Sequence, residues 1–128
     1  MMVSWKGKVK VFSHDNIVFD VPSRLFTKQE VEQCENEILA EVKEGQSWVL
    51  MCIPDENAGL TPDALIALEK KFVQLFEFGC LGILILNQTA SAAIINQHIK
   101  RFNIPRCVAD RSIGKLFSLA EEWLEQAK

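Results

Sequence analysis

The sequence predicts an α/β fold in which a mixed, mostly parallel sheet, opened by a β-hairpin, is packed against helices. Three observations predict this class. Apolar residues alternate around a polar turn near the N-terminus, continuous apolar runs occupy residues 48–53 and 81–86, and amphipathic segments separate these runs. Alternation is typical of an antiparallel pair, and continuous apolar runs are typical of strands covered on both faces. The predicted order is β-β-α-β-α-β-α-β-α, which requires parallel strands joined by right-handed crossovers.

The opening hairpin and the first helix have clear local signals. The segment KVKVFSHDNIVFDVPS, residues 8–23, alternates around a polar turn and predicts the hairpin. Thr27 and Glu30 have the spacing of a capping box, which opens the first helix. Gly45 is expected to end this helix in a left-handed conformation. The inward face of the helix is predicted to consist of Val31, Cys34, Ile38 and Val42.

The middle of the chain alternates strands and helices. The run WVLMCI predicts the next strand, and Thr61 and Pro62 have the N-cap and first-turn chemistry that starts a second helix. Gly79 is expected to end it. The run LGILIL is the following strand, and a third helix stops before Pro105. The inward face of this helix is predicted to consist of Ile94, Ile95, Ile99 and Phe102.

A short strand at residues 106–109 and one more helix complete the predicted order. Ser118 and Glu121 form a second capping-box pattern, so the last helix is expected to begin at Ser118. Its inward residues are predicted to be Leu119, Trp123, Leu124 and Ala127.

Composition limits the classes of protein that this chain resembles. Its 128 residues suffice for one domain, spanning 1–128, and its net charge of −3 with interspersed signs argues against nucleic acid as a partner. The four cysteines form no C-x-x-C pair, and three of them lie in apolar runs. Together with the absence of a signal-peptide pattern, this predicts a soluble protein of the reducing cytoplasm. The longest apolar run is too short for a membrane span.

Three loops follow the predicted parallel strands, and ligands of open α/β sheets bind outside these strand ends. The first loop carries the candidate surface residues Asp55, Glu56, Asn57, Ala58, Gly59, Leu60 and Thr61. The other two form a candidate polar site of Asn87, Thr89, Ser91, Asp110, Arg111 and Ser112. Helix capping is the simpler explanation for Thr61, Ser91 and Ser118.

Motifs for catalysis and for metal or cofactor binding are missing from the sequence. There is no G-x-S-x-G elbow, phosphate-binding glycine loop or H-E-x-x-H pair. Asp55 and Glu56 lack the further ligands of a cation site. Asp55 and Thr89 also mimic a phosphorylated receiver domain, but the opening hairpin does not fit that topology. The sequence therefore predicts no catalytic residue, no metal and no cofactor.

The second helix has an unusually wide apolar arc. Ile66 and Val73 form a ridge beside the core stripe of Leu65, Leu68, Phe72, Leu75 and Phe76. Such an arc packs against neighbouring helices, a protein partner or an apolar ligand. These three alternatives stay open at the level of the sequence.

The element order and the segment GILILNQTASAAIINQHIKRFNIPRCVADRSIGKLFSLAEEWLEQA, residues 82–127, resemble the STAS superfamily and its SpoIIAA-like proteins. The final EEWL is similar to the A-x-x-W-L end of that family. The resemblance implies a mixed sheet opened by a hairpin and a role in partner switching, in which a serine in an Asp-Ser-Ser-Gly-Leu motif is phosphorylated. The matching residues here are Glu56-Asn57-Ala58-Gly59-Leu60, so Ala58 stands at the phosphoacceptor position without a hydroxyl.

These observations predict a non-enzymatic, STAS-like regulatory module that docks a protein partner or a second copy of itself. The docking surface is expected to combine Asp55–Thr61 with Ile66 and Val73. The alternative is a carrier or sensor of a small, lipid-like ligand, because SpoIIAA-like proteins resemble the Sec14-type lipid-binding fold. The sequence does not indicate which partner or ligand is bound.

Overall fold

The computed structural model describes residues 4–5 and 9–128, and for Ser4, Trp5 and Val9 the backbone alone. Eight strands occupy this part of the chain: β1 (Ser4–Trp5), β2 (Val9–His14), β3 (Ile17–Pro22), β4 (Leu25–Phe26), β5 (Trp48–Cys52), β6 (Gly59–Leu60), β7 (Cys80–Leu86) and β8 (Cys107–Asp110). Its helices are α1 (Lys28–Ala40), α2 (Pro62–Glu77), α3 (Ala90–Ile99) and α4 (Ile113–Gln126). A 3₁₀ turn, Lys100–Phe102, extends α3.

The main sheet has the strand order β1-β2-β3-β5-β7-β8. The pairs from β3 to β8 are parallel, and β2 is antiparallel to both of its neighbours. The predicted α/β class, with a mostly parallel sheet opened by a hairpin, is therefore confirmed. The hairpin turns at Asp15 and Asn16, whose φ angles of 50° and 65° are those of a type I′ turn.

The helices cover both faces of this sheet. Each β-α-β step from β3 to β8 moves one strand in the same direction, and right-handed crossovers then place α1, α2 and α3 on one face. Their core includes Val18, Leu50 and Ile83. On the other face α4 packs through Leu116 and Trp123.

The last helix begins earlier than the capping pattern at Ser118 predicts. Its N-cap is Ser112, whose hydroxyl accepts a hydrogen bond from the backbone N–H of Lys115 at 3.2 Å. Ser118 lies in the middle of α4 and is exposed. The earlier start adds Leu116 to the buried face of the helix, whereas Ala127, predicted to face inward, is exposed. Burial of an additional helical turn thus outweighs the local cap signal.

Two details of α1 and α3 also differ from the predictions. Gly45 has the expected left-handed φ of 77°, but α1 already ends at Ala40, so this glycine turns the loop and not the helix end. Ile94, predicted to face inward, is 57% exposed. The buried residues of α3 are Ala92 and the correctly predicted Ile95 and Ile99. A short α3 has room for a narrow buried stripe only.

Candidate functional site

A two-stranded ladder of β4 and β6, not predicted from the sequence, covers the edge of the main sheet where the parallel strands end. Leu25 and Phe26 pair in parallel with Gly59 and Leu60. The backbone N–H of Asp55 donates to the carbonyl of Pro22 at 2.9 Å, which ties the beginning of the loop to the end of β3. The loop at residues 53–61 is thus held over the sheet edge by backbone hydrogen bonds. Two-residue strands are too short to give a recognisable sequence pattern.

Several candidate residues of this loop have structural roles. Asp55 Oδ1 accepts the N–H of Asn57 at 2.8 Å, which closes an Asx-type turn. Thr61 is the N-cap of α2, as predicted, and its hydroxyl oxygen accepts the N–H of Ala64 at 3.3 Å. Glu56 and Asn57 are exposed. These two side chains remain available to a partner.

Ala58 lies beneath the loop surface. Its side chain is 5% exposed and forms part of a pocket wall together with Gly59 and Leu60. A partner docked on the loop would therefore contact the flanking residues more readily than Ala58.

The residues of the candidate polar site lie in neighbouring loops, and helix caps and turns account for most of their hydrogen bonds. Thr89, and not Ser91 as expected, is the N-cap of α3. The hydroxyl of Ser91 donates to the carbonyl of Glu56 at 3.2 Å and thereby joins α3 to the first loop. Asp110 Oδ1 accepts the N–H of Ser112 at 2.8 Å.

The two polar loops also contact each other. The N–H of Asn87 donates to the carbonyl of Asp110 at 2.9 Å, and the side-chain amide of Gln88 donates to the carbonyl of Arg111 at the same distance. These contacts satisfy the loop backbone without forming a catalytic arrangement. Within residues 4–5 and 9–128, no group of three or more His, Cys, Asp or Glu side chains is placed to hold a metal ion.

The polar residues least expected from the sequence are a buried carboxylate and a buried amine. Asp20 on β3 and Lys71 on α2 are each 3% exposed, and Lys71 Nζ lies 3.8 Å from Asp20 Oδ2. The same amine donates to the thiol of Cys34 at 3.4 Å. Desolvation of two charges is costly, and their mutual attraction offsets this cost when the remaining hydrogen bonds are made.

Burial controls the protonation of this cluster. It raises the pKa of Asp20, while the ammonium of Lys71 opposes the shift. Burial lowers the pKa of Lys71, but Cys34 and Asp20 outweigh this effect and leave the pKa above its usual value. Burial also raises the pKa of the Cys34 thiol to about 12 and that of Cys52 well above its usual value. The thiols and the amine are therefore protonated at neutral pH, and protonated forms are poor nucleophiles.

The two carboxylate oxygens of Asp20 differ in their partners. The thiol of Cys34 donates to Oδ2 at 3.8 Å, whereas among the described residues no hydrogen bond of normal geometry reaches Oδ1, and the neighbouring thiol of Cys52 only helps to lower the pKa of Asp20 by weak hydrogen bonding. A small cavity of about 40 Å³, here called the Asp20 pocket, adjoins Asp20, Lys71 and Cys52. Its other walls are mainly apolar and include Phe26, Val31, Ala58, Leu60, Leu68, Phe72 and Ile95.

The sequence contained a signal for this pair. Residue 20 shares a strand face with Val18, and Lys71 falls on the buried stripe of α2 between Leu68 and Leu75. A carboxylate and an amine that both occupy core positions are expected to pair, because neither is buried alone at low cost.

The opposite side of α2 carries the predicted ridge. The α2 outer stripe consists of the exposed residues Asp63, Ile66, Glu69, Lys70, Val73 and Glu77. Ile66 is 74% exposed and Val73 is 51% exposed. Among the helices that the structure describes, none covers this ridge.

Comparison with protein-family models and with curated proteins gives no match to this chain. Among the helices that the structure describes, none has the length and apolar character needed to cross a membrane.

Proposed function

We propose that this chain is a non-enzymatic, STAS-like interaction module that docks a protein through the α2 outer stripe and the exposed part of the loop at residues 55–61. The observation that carries the proposal is the exposure of Ile66 and Val73 within an otherwise charged stripe. Large apolar side chains grouped on a surface are typical of interaction sites. The resemblance of the sequence to SpoIIAA-like proteins gives independent support.

The pattern of the stripe favours a second copy of the chain as the partner. If two α2 helices pack antiparallel about a twofold axis between residues 69 and 70, Ile66 of each copy faces Val73 of the other. The Ile66–Val73 pair then occurs twice, whereas Glu69 and Lys70 flank this contact on opposite sides of the helix, and each faces its own counterpart in the other copy. Self-complementarity of this kind is what a twofold interface requires.

The size of the stripe sets the expected affinity. Sixteen residues at 1.5 Å each give α2 a length of 24 Å, and a helix about 10 Å wide then offers roughly 240 Å² per copy. A stable interface buries about 800 Å² per partner. The loop must therefore contribute, and we expect a weak dimer with a dissociation constant in the micromolar range or above.

Regulation of this docking does not depend on serine phosphorylation in the proposal, because Ala58 stands at the phosphoacceptor position. We expect the module to work in the cytoplasm. All four cysteines are free thiols, which suits a reducing compartment.

Sedimentation velocity across a concentration series tests self-docking. Ile66→Asp/Val73→Asp is expected to abolish self-association, because it places carboxylates in both apolar pairs across the twofold axis. A wild-type protein that remains monomeric up to about 1 mM contradicts self-docking. Unchanged capture of proteins by the Ile66→Asp/Val73→Asp variant contradicts the wider docking proposal.

A carrier of a lipid-like ligand is the second candidate function, and the Asp20 pocket favours it. Its cavity of about 40 Å³ is well below the 300–1,000 Å³ typical of pockets for drug-sized ligands. A long acyl chain would therefore need the loop at residues 58–60 to move outward. Native mass spectrometry of the purified protein tests this function, since a carrier of lipid retains it through purification.

A further inference from the structure

The Asp20–Lys71 pair is incomplete as a hydrogen-bonding unit. Asp20 Oδ1 has no hydrogen-bond partner among the described residues, and the 3.8 Å separation between Lys71 Nζ and Asp20 Oδ2 is longer than a hydrogen bond. Lys71 has three N–H donors, and one of them is directed to Cys34. An unfilled acceptor therefore lies near an amine with donors to spare, in an almost fully buried position.

The Asp20 pocket gives this pair a space to share with a ligand. A water molecule needs about 10–15 Å³ of such space, so a cavity of about 40 Å³ accommodates a polar group of a few atoms. Gly59 and Leu60, which are partly exposed, also line the pocket and separate it from solvent on that side. A ligand can thus place a small head at the pair and an apolar body along the wall.

We propose that the Asp20 pocket binds a small neutral amphipath that carries a hydroxyl group. The hydroxyl donates to Asp20 Oδ1 and accepts from Lys71 Nζ, a dual role that an ether or a ketone does not fulfil. The ligand is neutral because the opposite charges of Asp20 and Lys71 already balance, and an acid or amine would add an uncompensated buried charge. Its apolar part lies against Leu68 and Phe72.

Titration of the ¹⁵N-labelled protein with short n-alkanols, followed by amide chemical shifts, tests this site. 1-Butanol is expected to shift amides around Asp20, residues 58–60 and Lys71, with a dissociation constant in the millimolar range. 1-Methoxypropane has the same number of heavy atoms but no donor, and should bind at least about tenfold more weakly because Oδ1 remains unpaired. Butyrate and n-butylamine should bind more weakly still.

Two variants separate the role of the pair from a general loss of structure. Asp20→Asn/Lys71→Met removes both charges at nearly constant volume, and it should remove the preference for 1-butanol over the ether. Ala58→Leu keeps the pair but fills the pocket, and it should abolish binding of both compounds. Well-dispersed amide spectra establish that each variant is folded.

Two results would overturn the proposal. One is the absence of localised shifts with 1-butanol at about 100 mM, which would assign the pocket to water alone. The other is equal affinity for 1-butanol and the ether, which would make the site a nonspecific apolar cleft. Ile66→Asp/Val73→Asp should bind 1-butanol normally, so failure of the docking proposal leaves this result unaffected.

Discussion

Replacement of Lys71 by methionine is expected to destabilise the protein strongly at neutral pH. Methionine has a similar length and keeps the apolar packing of α2, but it leaves the Asp20 carboxylate buried without its cation. At 3.8 Å and an effective dielectric constant of about 20, the attraction lost is about 4 kcal/mol. Breaking a buried ion pair by removing one partner costs about 3–5 kcal/mol, which agrees with this value. We therefore expect a loss of about 3–5 kcal/mol at pH 7.5.

The loss should depend on pH in a defined direction. Burial already raises the pKa of Asp20, and without the ammonium of Lys71 this pKa rises further. Between the pKa of about 3.9 in the unfolded chain and the raised pKa in the folded variant, Asp20 is protonated only in the folded state. The stability of the variant therefore falls as the pH rises through this interval. In the wild type the amine limits the rise, and the corresponding loss is smaller. The gap between the two proteins should therefore be smaller near pH 4.5 and widen to its full size at pH 7.5.

Urea unfolding followed by tryptophan fluorescence measures these free energies, because Trp48 and Trp123 are both buried and report on unfolding. Lys70→Met is the matched control. Lys70 is exposed, and its replacement should change the free energy of unfolding by less than about 0.5 kcal/mol.

A double-mutant cycle gives the decisive result. Asp20→Asn/Lys71→Met removes both charges and should be more stable than Lys71→Met alone, with a coupling free energy of at least about 2 kcal/mol. Additive losses, or a loss below about 1 kcal/mol for Lys71→Met at pH 7.5, would refute the view that the pair is ionised and energetically coupled.

Three further substitutions test the packing and the helix starts. Gly82→Ala should cost about 1–3 kcal/mol in urea unfolding, because its Cβ would clash with the indole ring of Trp123, and an unchanged free energy of unfolding would contradict this packing. Gly114→Ala, whose Cβ on α4 would meet Ser112 Oγ at an ordinary contact distance of 3.8 Å, should instead stabilise by about 0.5–1 kcal/mol. Ser112→Ala should lower the free energy of unfolding by about 1 kcal/mol and Ser118→Ala should not, and the reverse order would move the helix start to Ser118.

The sequence predicted those elements whose signals are local and uncontested. The hairpin turn at Asp15 and Asn16 has residues that tolerate positive φ, and Thr61 followed by Pro62 has no rival helix start nearby. Both were predicted correctly. The strand runs were equally clear because continuous apolar segments of this length fit few other structures.

The errors arose where two hydroxyl residues compete for one helix start. Thr89 lies two residues before Ser91, and Ser112 lies six residues before Ser118, so each pair offers two acceptable caps. Local capping energies of about 1 kcal/mol do not decide between them. The choice depends on which start places apolar residues such as Leu116 against the sheet, and that is a tertiary property.

The candidate site was only partly predictable for a similar reason. The ridge of Ile66 and Val73 was identified from helical spacing, but the sequence did not indicate whether a neighbouring helix, a partner or a ligand covers it. Asp20 and Lys71 each occupy a core-facing position in the sequence pattern, but they are 51 residues apart, and their spacing does not show that they meet. Their partnership follows from the crossover from β5 to β7, which places α2 on the sheet face where Lys71 reaches Asp20 of β3, and this placement is set by sheet topology.

The two-sided character of α2 explains its unusually wide apolar arc. Its inward side contributes Leu68, Lys71 and Phe72 to the wall of the Asp20 pocket, and its outward side exposes Ile66 and Val73. Packing within the chain does not account for Ile66 and Val73, which are more than half exposed. The other side of the same helix buries Lys71. Because the two sets lie on different sides of one helix, we expect substitutions to remove the proposed ligand binding and the proposed docking separately. The two proposals are therefore tested by different residues of the same short segment.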